Sequence, residues 1–213
     1  MNNKDKKKNA EYAVKALKDY YPDSECALKY EGDPFKLLVM AVLSAQCTDK
    51  RVNEVATELF KVLPDAKAFA ESKEGQLEEL IRSVGLYNSK AKNLRLASKA
   101  VCERFGGKVP CEMDDLLSLP GVGRKVANLL RGDLYGLGGI VADTHCIRIS
   151  NRLGFCDSDD PRKVESQLSK LIPLDEQTDF CHRLVFFGRE KCKARSPQCI
   201  NCILGGICVS KEK

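Results

Sequence analysis

Apolar residues return every three or four positions along almost the whole chain, and that spacing commits it to helices. Within residues 48–61, Val52, Val55, Ala56, Leu59 and Phe60 fall on one stripe. Within residues 88–105, Ala91, Leu94, Ala97, Val101 and Phe105 share a face, and Lys90, Lys92, Arg95 and Lys99 occupy the other. Residues 34–45 (PFKLLVMAVLSA) are apolar nearly all round, which predicts a central, buried helix. Leu63-Pro64-Asp65 closes one helix and opens the next, and Gly106-Gly107 ends another. No alternating run with hairpin turns points to a strand. At ordinary helix lengths the 213 residues make an all-α chain of about ten helices, enough for one large domain or two small ones.

The longest apolar run is too short to cross a bilayer. The basic opening MNNKDKKK is not followed by an apolar stretch, so it reads as a frayed end and not as a secretory signal. The chain is expected to be a soluble globular protein. Eleven cysteines, an odd number, crowd toward the C-terminus. Without a signal they indicate a reducing compartment and a metal or cluster site, not a disulfide scaffold. The net charge of +5 is unevenly spread: residues 88–108 carry +5, 119–131 carry +3 and 189–213 carry +4, leaving −7 elsewhere. That pattern fits either solvated helix faces or one surface that meets a polyanion.

Residues 116–131 read LLSLPGVGRKVANLLR. A short helix ends near Ser118, a Pro-Gly turn follows, and a second helix starts near Arg124. Glycines at 121 and 123 allow a tight turn and close approach of a ligand to the backbone. The free N–H groups of the new helix favour an anion, and a DNA phosphate would fit. This is a helix-hairpin-helix signature. Lys125 lies in the first turn of the second helix, where the dipole and nearby apolar surface would disfavour an ammonium. It is either one more phosphate-binding lysine beside Arg124 or an amine nucleophile.

Residues 132–143 (GDLYGLGGIVAD) read as a glycine-rich loop leading to Asp143, which is placed to cap the next helix. A carboxylate held by backbone N–H groups stays ionised and fixed, so capping is compatible with stabilising a positive charge. The two histidines, His145 and His182, read as structural. Cys192, Cys199, Cys202 and Cys208 form C-x6-C-x2-C-x5-C, four soft ligands for zinc or an iron–sulfur cluster. The other seven cysteines have no ligand spacing and read as core or incidental.

Five segments together resemble the endonuclease III family of DNA base-excision glycosylases, within the helix-hairpin-helix superfamily. They are LSAQCTDKRVN (43–53), GLYNSKA (85–91), LPGVGRKVAN (119–128), VADTH (141–145) and the terminal cysteine cluster. They cover nearly the whole chain in the family's order. Two departures stand in the loop, Gly-Leu-Gly-Gly in place of a Pro-containing stretch and Ala142 where Val is commoner.

The resemblance implies two helical domains with a cleft between them for the damaged base. Residues 27–136 would carry the hairpin, and residues 1–26 plus 137–213 the cluster. It implies that Lys125 forms a Schiff base with the deoxyribose C1′ and that Asp143 is the second catalytic residue. Cys192, Cys199, Cys202 and Cys208 would hold a structural [4Fe-4S] cluster, presenting Lys193 and Arg195 to phosphates. The hairpin residues Leu119, Gly121, Val122, Gly123 and Arg124 would bind DNA. Gln46 and Leu86 would fill the gap left by an extruded base, although unaided, Leu86 would read as a core anchor. Tyr87 would line the pocket or pack. The implied activity is a bifunctional DNA glycosylase and AP lyase acting on oxidised or ring-saturated pyrimidines, with β-elimination 3′ to the site. The implied partner is double-stranded DNA with damaged bases or abasic sites, met by a monomer in the cytoplasm, at the nucleoid if bacterial, with no membrane role.

Two rivals make different demands. A monofunctional mismatch glycosylase of the same superfamily lacks the lysine, and its adenine-removing members usually carry a further C-terminal domain. A non-catalytic DNA-binding or redox-sensing iron–sulfur protein would keep the hairpin as a clamp but has no need of Lys125 and Asp143 together.

Overall fold

A computed structural model describes residues 3–210. Its helices are α1 (Asn3–Tyr20), α2 (Pro34–Leu43), α3 (Asp49–Val62), α4 (Ala66–Ala70), α5 (Gln76–Leu80), α6 (Tyr87–Phe105), α7 (Met113–Leu117), α8 (Arg124–Tyr135), α9 (Thr144–Arg152), α10 (Pro161–Leu168) and α11 (Gln177–Glu190), with a 3₁₀ turn at Leu174–Glu176. No strand occurs among the described residues, so the all-α expectation holds. The chain divides into two compact units, one of Ala27–Tyr135 and one of the segments on either side of it.

In the unit Ala27–Tyr135, α2 is the core element. Asp33 caps it by accepting from the N–H groups of Phe35 and Lys36, Pro34 takes the first position, and Phe35 and Leu37–Leu43 are buried. Helices α3, α6 and α8 pack against it, and the expected stripes of α3 (Val52, Val55, Ala56 and Leu59) and α6 (Ala91, Leu94, Ala97 and Val101) are buried, as are Ala127 and Leu130 of α8. Asn53 pins the entry segment, donating to Ala27 O at 2.9 Å and accepting from Lys29 N–H at 2.9 Å.

Two expectations need correction in this unit. Lys90 does not belong to the solvated face of α6. It is 4% exposed, and its Nζ donates to Leu43 O at 2.8 Å. The long stem reaches inward because the carbonyls at the end of α2 offer an acceptor there. On the same helix Arg95 pairs with Glu78, so the basic face is less free than a charge count implies. The second correction is that the glycine-rich loop begins at Gly136, not Gly132. Helix α8 runs through Gly132 to Tyr135, whose hydroxyl donates to Val109 O at 2.5 Å. That tertiary anchor, with the packing on α2, offsets the helical cost of one glycine, which is about 1 kcal/mol.

In the other unit, α1 packs on α11 and α11 on α9. Ala10, Ala13, Val14 and Leu17 join Ile149, Leu153, Phe155, Phe180, Leu184 and Phe187 in one core. The basic opening is helical from Asn3 and not frayed, because the stripe that follows anchors α1. The buried Arg183 is held by Glu176 at 3.2 Å and Asp179 at 2.8 Å. Cys146, Cys156 and Cys181 are buried in this core, as expected of cysteines outside the cluster. In the Gly-Leu-Gly-Gly stretch, Gly138 has φ +69°, and a Cβ there would lie 2.6 Å from Leu174 Cδ1 and 2.7 Å from its carbonyl oxygen. The loop seats its backbone against the 3₁₀ turn. Among the described residues no helix is long and apolar enough to cross a membrane.

Two outcomes follow from this packing. Gly138→Ala must displace backbone, and denaturant unfolding should show a loss of about 1–3 kcal/mol. Burial lowers the Lys90 pKa below its usual 10.5, with a smaller opposing influence from Cys47. The unfolded chain therefore binds more protons between that lowered value and 10.5, and the cost of Lys90 disappears as pH rises through this window. Stability of the wild type relative to Lys90→Met should accordingly increase with pH there, measured by urea unfolding.

Candidate functional site

The hairpin is built from α7, a turn and α8. Ser118 caps the end of α7, Leu119 N–H bonds to Leu116 O and Val122 N–H to Leu119 O, each at 3.1 Å. Leu119 and Val122 are buried, so their side chains anchor the turn and only their backbone can face a ligand. Of the two glycines, Gly121 alone has a left-handed backbone, φ +83°, and a Cβ there would come within 3.0 Å of Asn93 Cβ on α6. Gly123 has no atom within 4 Å of such a Cβ, so its role is to leave open space beside the start of α8. Gly123 O accepts the first helical bond, from Ala127 N–H at 2.9 Å. Arg124 and Lys125 are therefore the first two residues of α8, where four N–H groups lack helical partners and the dipole is positive. Both side chains are exposed. Lys125 makes no ion pair among the described residues.

Gln46 and Leu86 lie on adjacent loops of the same unit. Gln46 is the third residue of a turn closed by Cys47 N–H to Ser44 O at 3.0 Å, and it has φ +53°. Leu86 starts α6 with φ +60° and ψ +30°, makes no side-chain cap, and is 59% exposed. It is not a core anchor. The left-handed conformation costs a side-chain-bearing residue about 1–2 kcal/mol, so both positions hold strain while pointing polar or apolar bulk outward. A Cβ on Gly85 would lie 3.7 Å from Gln46 O, which shows how close the two loops run. Helix α6 thus carries Leu86 at its start, and Asn93, two turns on, touches the hairpin at Gly121.

In the other unit, Asp143 is the N-cap of α9. Its Oδ1 accepts from Cys146 N–H at 2.7 Å, which fixes the carboxylate while leaving it half-exposed. The rest of α9 is tied to the cysteine loop by two arginines. Arg148 donates to Cys192 O at 2.9 Å and Gly188 O at 3.2 Å and touches His145 Nδ1 at 3.1 Å. Arg152 donates to Cys192 Sγ at 3.2 Å, Lys193 O at 2.8 Å and Ala194 O at 3.0 Å. His145 packs where α11 is thinnest, against Gly188. The sequence reading passed over both arginines. Their four-residue spacing puts both on one face of α9, but only the fold brings that face to the cysteine loop, which follows two helices later in the chain.

Cys192, Cys199, Cys202 and Cys208 line one cavity of about 420 Å³ with Ile149, Leu153, Phe187 and Leu204. All four thiols are free. Burial pushes the Cys202 thiol up, and the other three cysteines add to the effect although the Leu204 backbone opposes it. Four sulfurs facing one cavity are a donor set that could hold a soft metal ion or an iron–sulfur cluster. Lys193 and Arg195 are exposed on the intervening loop, while Lys211 and Lys213 lie outside the described residues.

The HhH-GPD superfamily of base excision DNA repair proteins matches residues 39–174. Endonuclease III of Synechocystis sp. is 43% identical over 97% of this chain and 94% of its own length. That of Bacillus subtilis is 41% identical over 97% and 94%, and that of Escherichia coli K12 is 36% identical over 92% and 93%. Among solved structures, a non-covalent endonuclease III–DNA complex superposes with a TM-score of 0.91 at 40% identity, covering 100% of this chain and 98% of that one. A trapped endonuclease III–DNA covalent intermediate gives the same values. A thermostable thymine-DNA glycosylase, at 21% identity and a TM-score of 0.87, shares the fold. Matched at these identities over nearly its whole length, this protein belongs to the endonuclease III family of the HhH-GPD superfamily of base excision DNA repair proteins.

Proposed function

We propose that the chain is a bifunctional DNA glycosylase and AP lyase that removes oxidised or ring-saturated pyrimidines from duplex DNA. The observation that carries the reading is the placement of Lys125, an exposed amine without an ion pair among the described residues, at the open end of α8. Family relatives caught in a covalent complex with DNA support it.

In this mechanism the first-turn N–H groups of α8 and the backbone of the Gly121–Gly123 turn hold a phosphate. The lone pair of Lys125 Nζ forms a bond to C1′ as the glycosidic bond breaks, and its electrons leave with the base. Asp143, held by its cap bond, stabilises positive charge at the sugar and assists proton transfer. The C1′–O4′ bond then breaks, the departing base and O4′ take up the two protons that Nζ gives up, and the open-chain sugar is left as an imine on Nζ. That imine makes the C2′ proton acidic, and its loss expels the 3′ phosphate. Gln46 and Leu86 occupy the space vacated by the extruded base, using the outward direction that their strained backbones impose.

The four cysteines fit a [4Fe-4S] cluster better than zinc, since only one C-x2-C knuckle is present and the cavity is larger than a single ion needs. When bound, the cluster supplies charge compensation and a covalent cross-link. The chain's own contribution is the clamp of Arg148 and Arg152, which joins that loop to the helix headed by Asp143.

Borohydride added during reaction with abasic duplex should trap a covalent adduct with the wild type and none with Lys125→Ala. Unchanged trapping in the variant contradicts the nucleophile assignment. Asp143→Asn keeps the cap and should keep stability, yet lower turnover on thymine-glycol duplex roughly 10²–10³-fold. Asp143→Ala should in addition lose about 0.5–2 kcal/mol by denaturant unfolding. The purified protein should be yellow-brown and contain iron and inorganic sulfide in equal amounts. A colourless, zinc-containing protein refutes the cluster.

A further inference from the structure

Lys90 is joined to both of the loops that carry Gln46 and Leu86. Its backbone N–H bonds to Leu86 O at 3.0 Å, the first helical bond of α6. Its side chain crosses to α2, where Nζ donates to Leu43 O at 2.8 Å. Leu43 is the last residue of α2, and its carbonyl heads the turn Ser44–Cys47 that sets Gln46 at φ +53°. One residue therefore bonds both to the Leu86 position and to the carbonyl that heads the Gln46 turn.

As a stabilising choice, a buried amine is poor. Taking an ammonium out of water costs free energy, and Met would fill the same volume without that cost. What the amine supplies and Met cannot is a directional bond to one carbonyl, with the cation also favoured at the C-terminal end of α2. Loops that hold two side chains in strained backbone conformations drift unless something fixes their separation.

We infer that Lys90 is a positioning residue for base extrusion, fixing the spacing and direction of Gln46 and Leu86 while taking no part in imine formation. This rests on the reading of Gln46 and Leu86 as wedges. A duplex lesion needs both wedges in register to hold the base out. A single-stranded abasic site has no stack to open, so its reaction with Lys125 does not draw on them.

The test compares borohydride trapping on thymine-glycol duplex with trapping on single-stranded abasic DNA, for the wild type, Lys90→Met, Lys90→Gln, Gln46→Ala and Leu86→Ala. In a parallel duplex, 2-aminopurine opposite the lesion reports unstacking on binding. Lys90→Met should lower the duplex-to-single-strand ratio roughly tenfold to a hundredfold, the scale set by small misplacements. It should also suppress the 2-aminopurine signal, while Lys90→Gln, which keeps a donor, restores part of both. Thermal unfolding identifies a variant that does not fold, and if Lys90→Met is one, Lys90→Gln must then show the lowered ratio. A Lys90 variant that folds and leaves the ratio at the wild-type value, or lowers both reactions equally, overturns the inference while Gln46→Ala and Leu86→Ala still lower the ratio. If neither wedge variant lowers it, the wedge reading fails first and takes this inference with it.

Discussion

The burial of Leu119 and Val122 is the constraint on which the hairpin depends. With both side chains fixed in the interior, the chain between them must reverse within two residues, and Gly121 takes the left-handed conformation that permits it. The reversal sets the origin of α8. The first-turn N–H groups and the amine of Lys125 inherit their position from two buried apolar side chains. The lysine side chain is exposed, and the turn fixes where its Cα stands.

A similar division of labour runs through the other unit. Asp143 is held by one bond to Cys146 N–H, and α9 behind it is fastened by Arg148 and Arg152 to the loop of Cys192. The cavity of the four cysteines is walled by the same core residues that pack α9 on α11. The carboxylate, its helix and the cysteine loop therefore form one mechanical assembly. A cluster bound there would brace the same helix.

Legibility from sequence follows how local the cause is. The ends of the hairpin at Ser118 and Arg124, the cap at Asp143 and the C-cap glycines after Phe105 depend on residues within a few positions, and all are readable. The inward turn of Lys90 is not, because charge assigns it to the solvated face and only the distant carbonyl of Leu43 reverses that. The continuation of α8 through Gly132 is likewise hidden, since its cause is the reach of Tyr135 to Val109. The strain at Gln46 and Leu86 leaves no glycine or asparagine to mark it. The cysteine spacing identifies a metal-type site without choosing its occupant, and the tie from Arg152 to that site emerges only once α9 is placed beside the loop.

The central claim is that one particular amine, that of Lys125, carries the covalent step. The most direct measurement is peptide mapping by mass spectrometry of the borohydride-reduced protein–DNA adduct. The account predicts a single modified residue, Lys125, with the deoxyribose remnant attached through Nζ. Modification at the N-terminal amine, at a lysine of α6, or spread across several sites would contradict it.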